Sequence, residues 1–465
     1  MGRKVNVSEV IGKSKLNGFM YGVIAIGVIM ILFDGYDMGV WAGTLTSLRT
    51  DTGIEDVTLG FITSAGQFGS MLGGIFFGML SDRIGRKTSL LLATGIYSVF
   101  TGLIGIASSP EALTVFKLVS GFGLAGFTPV VMTYLSEYTP IKSRALVTTM
   151  AISCVSVGSV ISTAVCMGVL QTWGWRPLYF IAFVPIILFP LIALKMPDSP
   201  AHYVKTGKTD KVRNVLEKAD PSFTPEPDDE YVVSDEEKAE KPSVIEALKG
   251  IFANGMGKYT ILFWIVFMLT MYTSFTMQTW LARLMVYGGY GLTNSLFFLL
   301  LFNLCSLPAA AIVGWIADKV GFKKTIICLA IFIAVVISVI GFVRSEIVVI
   351  ILCVIAGAGT TGVYNAVYSC ITLSYPAEVR GTGVGWANAI GRFGAMVGPA
   401  VAGAIWRYGR PCCCRRNGNW RTAGNRYLPG DRSWLSLGWY PVLLLQRQAV
   451  KAGLKSRVSM YCKVR

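Results

Sequence analysis

Histidine is nearly absent, with His202 standing alone among 465 residues. With it goes most of the chemistry that imidazole supports, such as metal cages and proton relays near neutral pH. Charge is scarce as well: Lys, Arg, Asp and Glu make up 15% of the chain, where a soluble domain carries about a quarter. Cysteine is present but unorganised. Cys154, Cys166, Cys305, Cys328, Cys353 and Cys370 sit singly in apolar stretches, where a thiol behaves as a small hydrophobe. Cys412, Cys413 and Cys414 lie together, but no histidine is near and the spacing fits no zinc pattern. No metal and no cofactor are expected. Gly121-Phe122-Gly123-Leu124-Ala125-Gly126 matches the dinucleotide fingerprint only in letters, because no β-strand precedes it. Its glycines predict a close-packing helix face instead. With no nucleophile–base pair and no nucleotide loop, an enzyme is not expected.

The formal net charge of +16 suggests nucleic acid, but its distribution does not. From Arg407 onward the chain holds 13 of its 42 Lys and Arg and one acid, Asp431. The preceding 406 residues are nearly balanced, so no nucleic-acid partner is expected.

What the chain has in abundance is apolar length. Hydrophobic residues reach 53% and glycine numbers 51, and glycine is common where membrane helices pack closely. A spanning helix needs about 20 apolar residues. Eleven such runs follow one another, at about 19–42, 58–80, 89–107, 112–135, 147–170, 176–195, 260–282, 294–316, 325–343, 347–371 and 381–405. The first is too long for a cleavable signal peptide, and none is expected. One connection, Met196 to Lys258, is long and charged, with Asp228-Asp229-Glu230 and Asp235-Glu236-Glu237. It reads as a cytoplasmic linker with a short amphipathic helix or two inside. Arg3, Lys4, Lys13 and Lys15, then Arg83, Arg86 and Lys87, then Lys142 and Arg144, mark one side of the membrane. By the positive-inside rule the N-terminus is cytoplasmic.

An internal repeat divides the chain. Gly78, Asp82, Arg83, Gly85 and Lys87, with Arg86 between the last two, follow the second span. Gly314, Asp318, Lys319, Gly321 and Lys323 recur at identical offsets after the eighth. A looser echo links Glu137 and Arg144 with Glu378 and Arg380. Glycines allow a tight turn and close contact, and Asp82 is placed to cap the next helix. The charges can latch the cytoplasmic ends of two bundles; they also hold the loops inside.

Ionisable residues within spans are expensive and are functional candidates. Asp34 and Asp37 are three apart in the first span and share a face. Asp34 lies ~22 Å from Phe19 along the helix, in the outer half of the membrane. A carboxylate desolvated there can exchange a proton near neutral pH. Lys117, near the outer start of the fourth span, either pairs with Asp34 or snorkels to the interface. Arg392 lies ~16 Å into the last span, near the midplane. Its guanidinium cannot lose its charge and suits a carboxylate in bidentate fashion. Tyr36, Gln278, Trp280, Asn365 and Asn388 are candidates to line a cavity beside it.

The repeated loop and the six-plus-six layout over about residues 18–405 resemble the major facilitator superfamily. The resemblance implies an all-α polytopic membrane protein of two six-helix bundles, with a cavity between them and alternating access. Asp34-Gly35-Tyr36-Asp37, Gly391-Arg392-Phe393-Gly394 and Gly398-Pro399 resemble, within it, the aromatic acid:proton symporters. That likeness implies proton-coupled import of a small organic acid such as benzoate or a hydroxybenzoate. It assigns proton coupling to Asp34 and Asp37 and the substrate carboxylate to Arg392. Met196-Pro197-Asp198-Ser199-Pro200 is similar to the segment ending the sixth helix there. The sequence departs from the family at Lys117, Ala282 and Phe322. The alternatives are a carrier of a sugar, polyol or zwitterion, or a non-transporting membrane sensor. The expected layout is 1–195 for the first bundle, 196–258 for the linker, 259–406 for helices seven to eleven, and 407–465 for a basic tail. A monomer in the lipid bilayer of the inner membrane, crossing it many times, is expected, with protons and the organic acid as partners. No normal twelfth helix follows Trp406, since Ser433 to Gln446 is uncharged but too short to span. The abrupt change suggests a reading-frame shift near position 407, which peptides covering Cys412 to Arg416 from an intact frame would refute.

Overall fold

The computed structural model describes residues 3–187, 189–221, 223–226, 229–232, 251–252, 256–340, 343, 345–375 and 377–408. The acids at 235–237 and the tail from 409, with its cysteines and the expected loss of the twelfth helix, fall outside them. The described chain is helical apart from one small sheet. It runs β1 (Lys4–Asn6), α1 (Val7–Lys13), α2 (Gly18–Thr52), α3 (Asp56–Ile84), α4 (Arg86–Ile104), α5 (Pro110–Leu124), α6 (Phe127–Tyr138) and α7 (Ile141–Val169). The sixth apolar run forms short pieces, α8 (Arg176–Phe180), a 3-10 turn (Ile181–Phe183), α9 (Val184–Ile187) and α10 (Phe189–Lys195). Next come α11 (Pro200–Lys205), α12 (Thr209–Ala219) and β2 (Glu230–Val232). Then follow α13 (Gly257–Tyr287), α14 (Leu292–Val320), α15 (Phe322–Ile340), α16 (Glu346–Ser374) and α17 (Ala377–Tyr408). Among the described residues, eight helical stretches are long and apolar enough to cross a membrane. Large apolar side chains lie exposed along them, Ile347 at 71%, Met150 at 61% and Phe332 at 51% among them. Such faces suit acyl chains, not water.

The chain divides into two compact units, one of residues 1–44 and 65–247, the other of 45–64 and 248–465. In the first, glycine sets the helix spacing. A Cβ on Gly35 would lie 1.8 Å from the Val155 carbonyl oxygen, and one on Gly158 2.0 Å from that of Leu32. These two glycines let α2 and α7 touch backbone to backbone. α3 meets α5 in the same way: a Cβ on Gly69 would lie 2.0 Å from the Leu118 oxygen, and one on Gly73 1.9 Å from that of Phe122. The three glycines of the false fingerprint belong to these contacts, Gly121 against Gly66, Gly123 against Tyr97 and Gly126 against Phe77. Gly35→Ala should lower the Tm of the purified protein by about 3 °C or more, since overpacking of this kind costs about 1–3 kcal/mol. Gly18→Ala, where a Cβ meets nothing within 4 Å, is the control; equal thermal shifts for both would refute the packing argument.

The linker contributes more order than its charge suggests. β1 and β2 pair in parallel, Val5 opposite Tyr231, an exception to the all-α expectation. Val5, Val7, Ile11, Met20, Val212, Leu216 and Tyr231 form a buried cluster, so the N-terminal segment and the amphipathic α12 share one small core.

In the second unit α17 lies along α13 on another glycine face. A Cβ on Gly394 would stand 2.1 Å from the Met268 oxygen, and one on Gly398 2.2 Å from Thr276 Oγ1. Close contact within two turns after Arg392 holds that part of α17 against α13. The repeat is visible in the backbone. Gly85 ends α3 with φ +94° and Gly321 ends α14 with φ +95°, a left-handed turn that glycine adopts without strain.

Candidate functional site

In the first unit the helix face bearing Asp34 and Asp37 carries polar contacts to α5 and α6. Lys117 Nζ lies 2.7 Å from Asp37 Oδ2, and both residues are 6% exposed. The same ammonium stands 4.9 Å from the centroid of the Trp41 ring. Thr128 donates its hydroxyl to Asp34 Oδ2 at 2.7 Å. The expected pairing of Lys117 with Asp34, and snorkelling as its alternative, are both corrected: Lys117 is buried on Asp37. Its stem rests against Gly66, where a Cβ would meet Lys117 Cγ at 2.9 Å, so only a glycine on α3 admits it. One carboxylate oxygen, Asp37 Oδ1, is buried with no hydrogen-bond partner. Tyr36, expected beside substrate, is buried and donates its hydroxyl to the Leu178 carbonyl at 3.0 Å. It braces α2 against α8 and presents no free polar group.

In the second unit Arg392 is half-buried on α17. Gly391, one residue earlier, lies so close to α13 that a Cβ would meet Phe267 Cδ1 at 2.5 Å. Asn388 and Arg392 are one helical turn apart and both half-buried, as are Asn365 and Gln278. Trp280 is fully buried, and its Nε1 has no hydrogen-bond partner. Asn303 Nδ2 on α14, which sequence reasoning passed over, shares that condition. Among the described residues no group of His, Cys, Asp and Glu could hold a metal ion.

Residues 27–399 match the Major Facilitator Superfamily. The chain belongs to that superfamily. It is 30% identical to the benzoate transport protein of Acinetobacter baylyi, over 87% of each chain. It is 28% identical to the gentisate transporter of Corynebacterium glutamicum, covering 85% of this chain and 83% of that one. Identity is also 28% to a 4-hydroxybenzoate transporter of Pseudomonas putida, over 86% of this chain and 89% of that one. Among solved structures, a bacterial homolog of the human lysosomal transporter Spinster aligns with a TM-score of 0.71 at 16% identity, covering 95% of this chain and 99% of that one. A D-xylose-proton symporter aligns at 0.67 and 16%, over 94% and 97%. These two carry the fold alone. The protein is thus a multi-pass major facilitator and not an enzyme.

The loop motif of this major facilitator is tied down by the segment ending its sixth apolar run. Arg86 approaches Glu137 at 3.4 Å and donates from Nη1 to Ser81 Oγ at 2.9 Å. Asp198 Oδ1 accepts the backbone N–H of Lys87 at 3.2 Å and that of Ser199 at 2.8 Å. Tyr138 donates to the Asp198 carbonyl at 2.6 Å. Lys87 Nζ reaches the Ala193 carbonyl at 2.5 Å. Asp198, a residue of the Met196–Pro200 segment, therefore binds the first turn of α4. Gly85 leaves room for it, since a Cβ there would stand 2.1 Å from Asp198 Oδ2. Gly78 makes no such contact, a Cβ there meeting nothing within 4 Å, which corrects the expectation of close packing at that position. Arg83, Asp318 and Lys319 are exposed, and Lys319 Nζ stands 3.9 Å from the centroid of the Trp315 ring. Arg144 donates from Nη2 to the Thr139 carbonyl at 3.5 Å. The side chains of Asp82, Glu378 and Arg380 lie outside the described set.

The second unit holds a buried ionic cluster that sequence reasoning missed. Arg283, 2% exposed on the last turns of α13, donates from Nε to Asp56 Oδ1 at 2.7 Å. Tyr287 donates to Asp56 Oδ2 at 2.8 Å and accepts from Arg283 at 2.7 Å and from Arg49 at 2.6 Å. Arg49 Nη2 also stands 3.5 Å from Asp56 Oδ2. One carboxylate, two guanidiniums and a phenol thus bind segment 45–64 to the end of α13. The expected helix bounds hid this: α2 runs to Thr52, taking in Arg49, and α13 runs on past Arg283.

Proposed function

We propose that this protein is a proton-coupled importer of a small aromatic carboxylate such as benzoate or a hydroxybenzoate, working by alternating access. The observation that carries the reading is the set of ionisable groups kept inside spanning helices: Asp34 and Asp37 with Lys117 in one unit, and Arg392 in the other. Such groups are retained against the cost of burial where a pathway for ions or substrate uses them. Asp34 and Asp37 serve proton exchange. Arg392 receives the carboxylate, with Asn388, Asn365, Gln278 and Trp280 as further polar partners. The names of the relatives, carriers of benzoate, gentisate and 4-hydroxybenzoate, support an aromatic acid as cargo. Arg86, Glu137 and Asp198 hold the cytoplasmic loop, in an inner-membrane monomer whose N-terminus is cytoplasmic.

The test is uptake of radiolabelled benzoate and 4-hydroxybenzoate by vesicles holding the full chain. Accumulation should collapse on adding a protonophore, and Asp34→Asn at matched expression should fall to the level of empty vesicles. Uptake indifferent to the protonophore removes proton coupling. Binding without accumulation converts the carrier into a sensor.

A further inference from the structure

Three aromatic rings pack together in the second unit. Phe267 on α13 and Tyr364 on α16 have centroids 5.5 Å apart and planes inclined by 27°. Tyr364 and Tyr368, one helical turn apart, have centroids 6.4 Å apart and planes inclined by 28°. Phe267 and Tyr368 close the triangle at 6.1 Å. Both pairs that include Tyr364 are close to parallel, in the distance range of offset stacking, while Phe267 and Tyr368 are inclined by 44°. Burial falls along the set: Phe267 is fully buried, Tyr364 is half-buried and Tyr368 is 38% exposed. The set therefore ends in an open aromatic face. The set meets α17 at the level of Arg392, because Gly391, the residue before it, seats directly on the Phe267 ring.

A guanidinium alone cannot tell an aromatic acid from an aliphatic one, because it reads only the carboxylate. Discrimination needs a surface that rewards a flat π-system. We propose that Tyr364 and Tyr368, held in plane by Phe267, are that surface, and that they determine the specificity of the carrier. The substrate ring lies on the open face of the tyrosines while its carboxylate engages Arg392. The inference rests on the carboxylate reading above and adds the residues that select the ring. Phe267 acts by position: it touches no substrate and keeps Tyr364 from turning edge-on.

The experiment uses the full-length carrier in proteoliposomes. Uptake of radiolabelled benzoate is measured against unlabelled benzoate and against cyclohexanecarboxylate, which keeps the carboxylate and the ring size but has no π-face. The wild type should be inhibited more strongly by benzoate, with a ratio of inhibition constants of about two- to tenfold, the range expected for one stacking contact. In Tyr368→Leu and Tyr364→Leu the ratio should fall toward one while inhibition by both acids persists. In Tyr368→Phe and Tyr364→Phe, which keep the rings, it should stay at the wild-type value. A Tyr368→Leu and a Tyr364→Leu carrier that both keep the wild-type ratio would overturn the proposal and leave the carboxylate reading intact. A wild type indifferent to both acids would overturn the two together.

Discussion

Arg392→Ala is expected to reduce benzoate uptake by roughly 30-fold or more, expressed as kcat/KM at matched protein level. Removing one partner of a desolvated charge pair costs about 2–5 kcal/mol, and the lower figure already corresponds to that factor. The loss should lie largely in substrate recognition, because the packing around the residue does not depend on its side chain. The glycines at 391, 394 and 398 make the contacts between α17 and α13, and all three remain in the variant. The purified variant should therefore elute as a single peak at the wild-type position in detergent. Arg392→Lys should recover only part of the activity, because an ammonium keeps the charge but lacks the fork that grips both carboxylate oxygens. Wild-type uptake by the alanine variant would remove Arg392 from the site.

Lys117→Met should destabilise the carrier by about 3–5 kcal/mol, the usual penalty for leaving a buried charge without its partner. Asp37 and Lys117 are each 6% exposed and 2.7 Å apart, so water cannot take over the role of either. Asp37→Leu should cost as much by stranding the ammonium. The double variant Asp37→Leu with Lys117→Met should recover most of the lost stability, since a well-packed apolar pair commonly equals a buried ionic one. It should not recover uptake, because no proton can bind there. Thermal denaturation of the four proteins in detergent gives the coupling energy as a double-mutant cycle. A Lys117→Met carrier as stable as the wild type would show that the pair is solvated after all.

Much of this architecture was legible because membranes impose simple rules. Apolar length marked the spans, and five matching offsets marked the repeat, which reappears as two left-handed glycines with nearly equal φ. The dinucleotide-like glycines were rightly taken as packing, since no strand stood before them. Pairing was not legible. Asp34 and Asp37 share a face, and only the crossing of α2 with α5 and α6 decides that Lys117 takes one and Thr128 the other. Tyr36 was a candidate to line the cavity, yet its hydroxyl is occupied by a carbonyl across the unit. Arg283 and Asp56 escaped notice because hydropathy ends a span where charge begins, while a helix continues as long as its backbone bonds do. The small sheet of β1 and β2 escaped for a different reason: two three-residue strands lie below any periodicity that a sequence can display.

The buried Lys117–Asp37 pair also decides how the carrier meets an electric field. As a matched pair it presents zero net charge, so a conformational step that carries both residues together is silent to membrane voltage. Replacing either residue alone ends that silence. In Lys117→Met or Asp37→Leu the surviving charge travels with its helix, and its displacement across the field is worth ~2.3 kcal/mol for each 100 mV crossed.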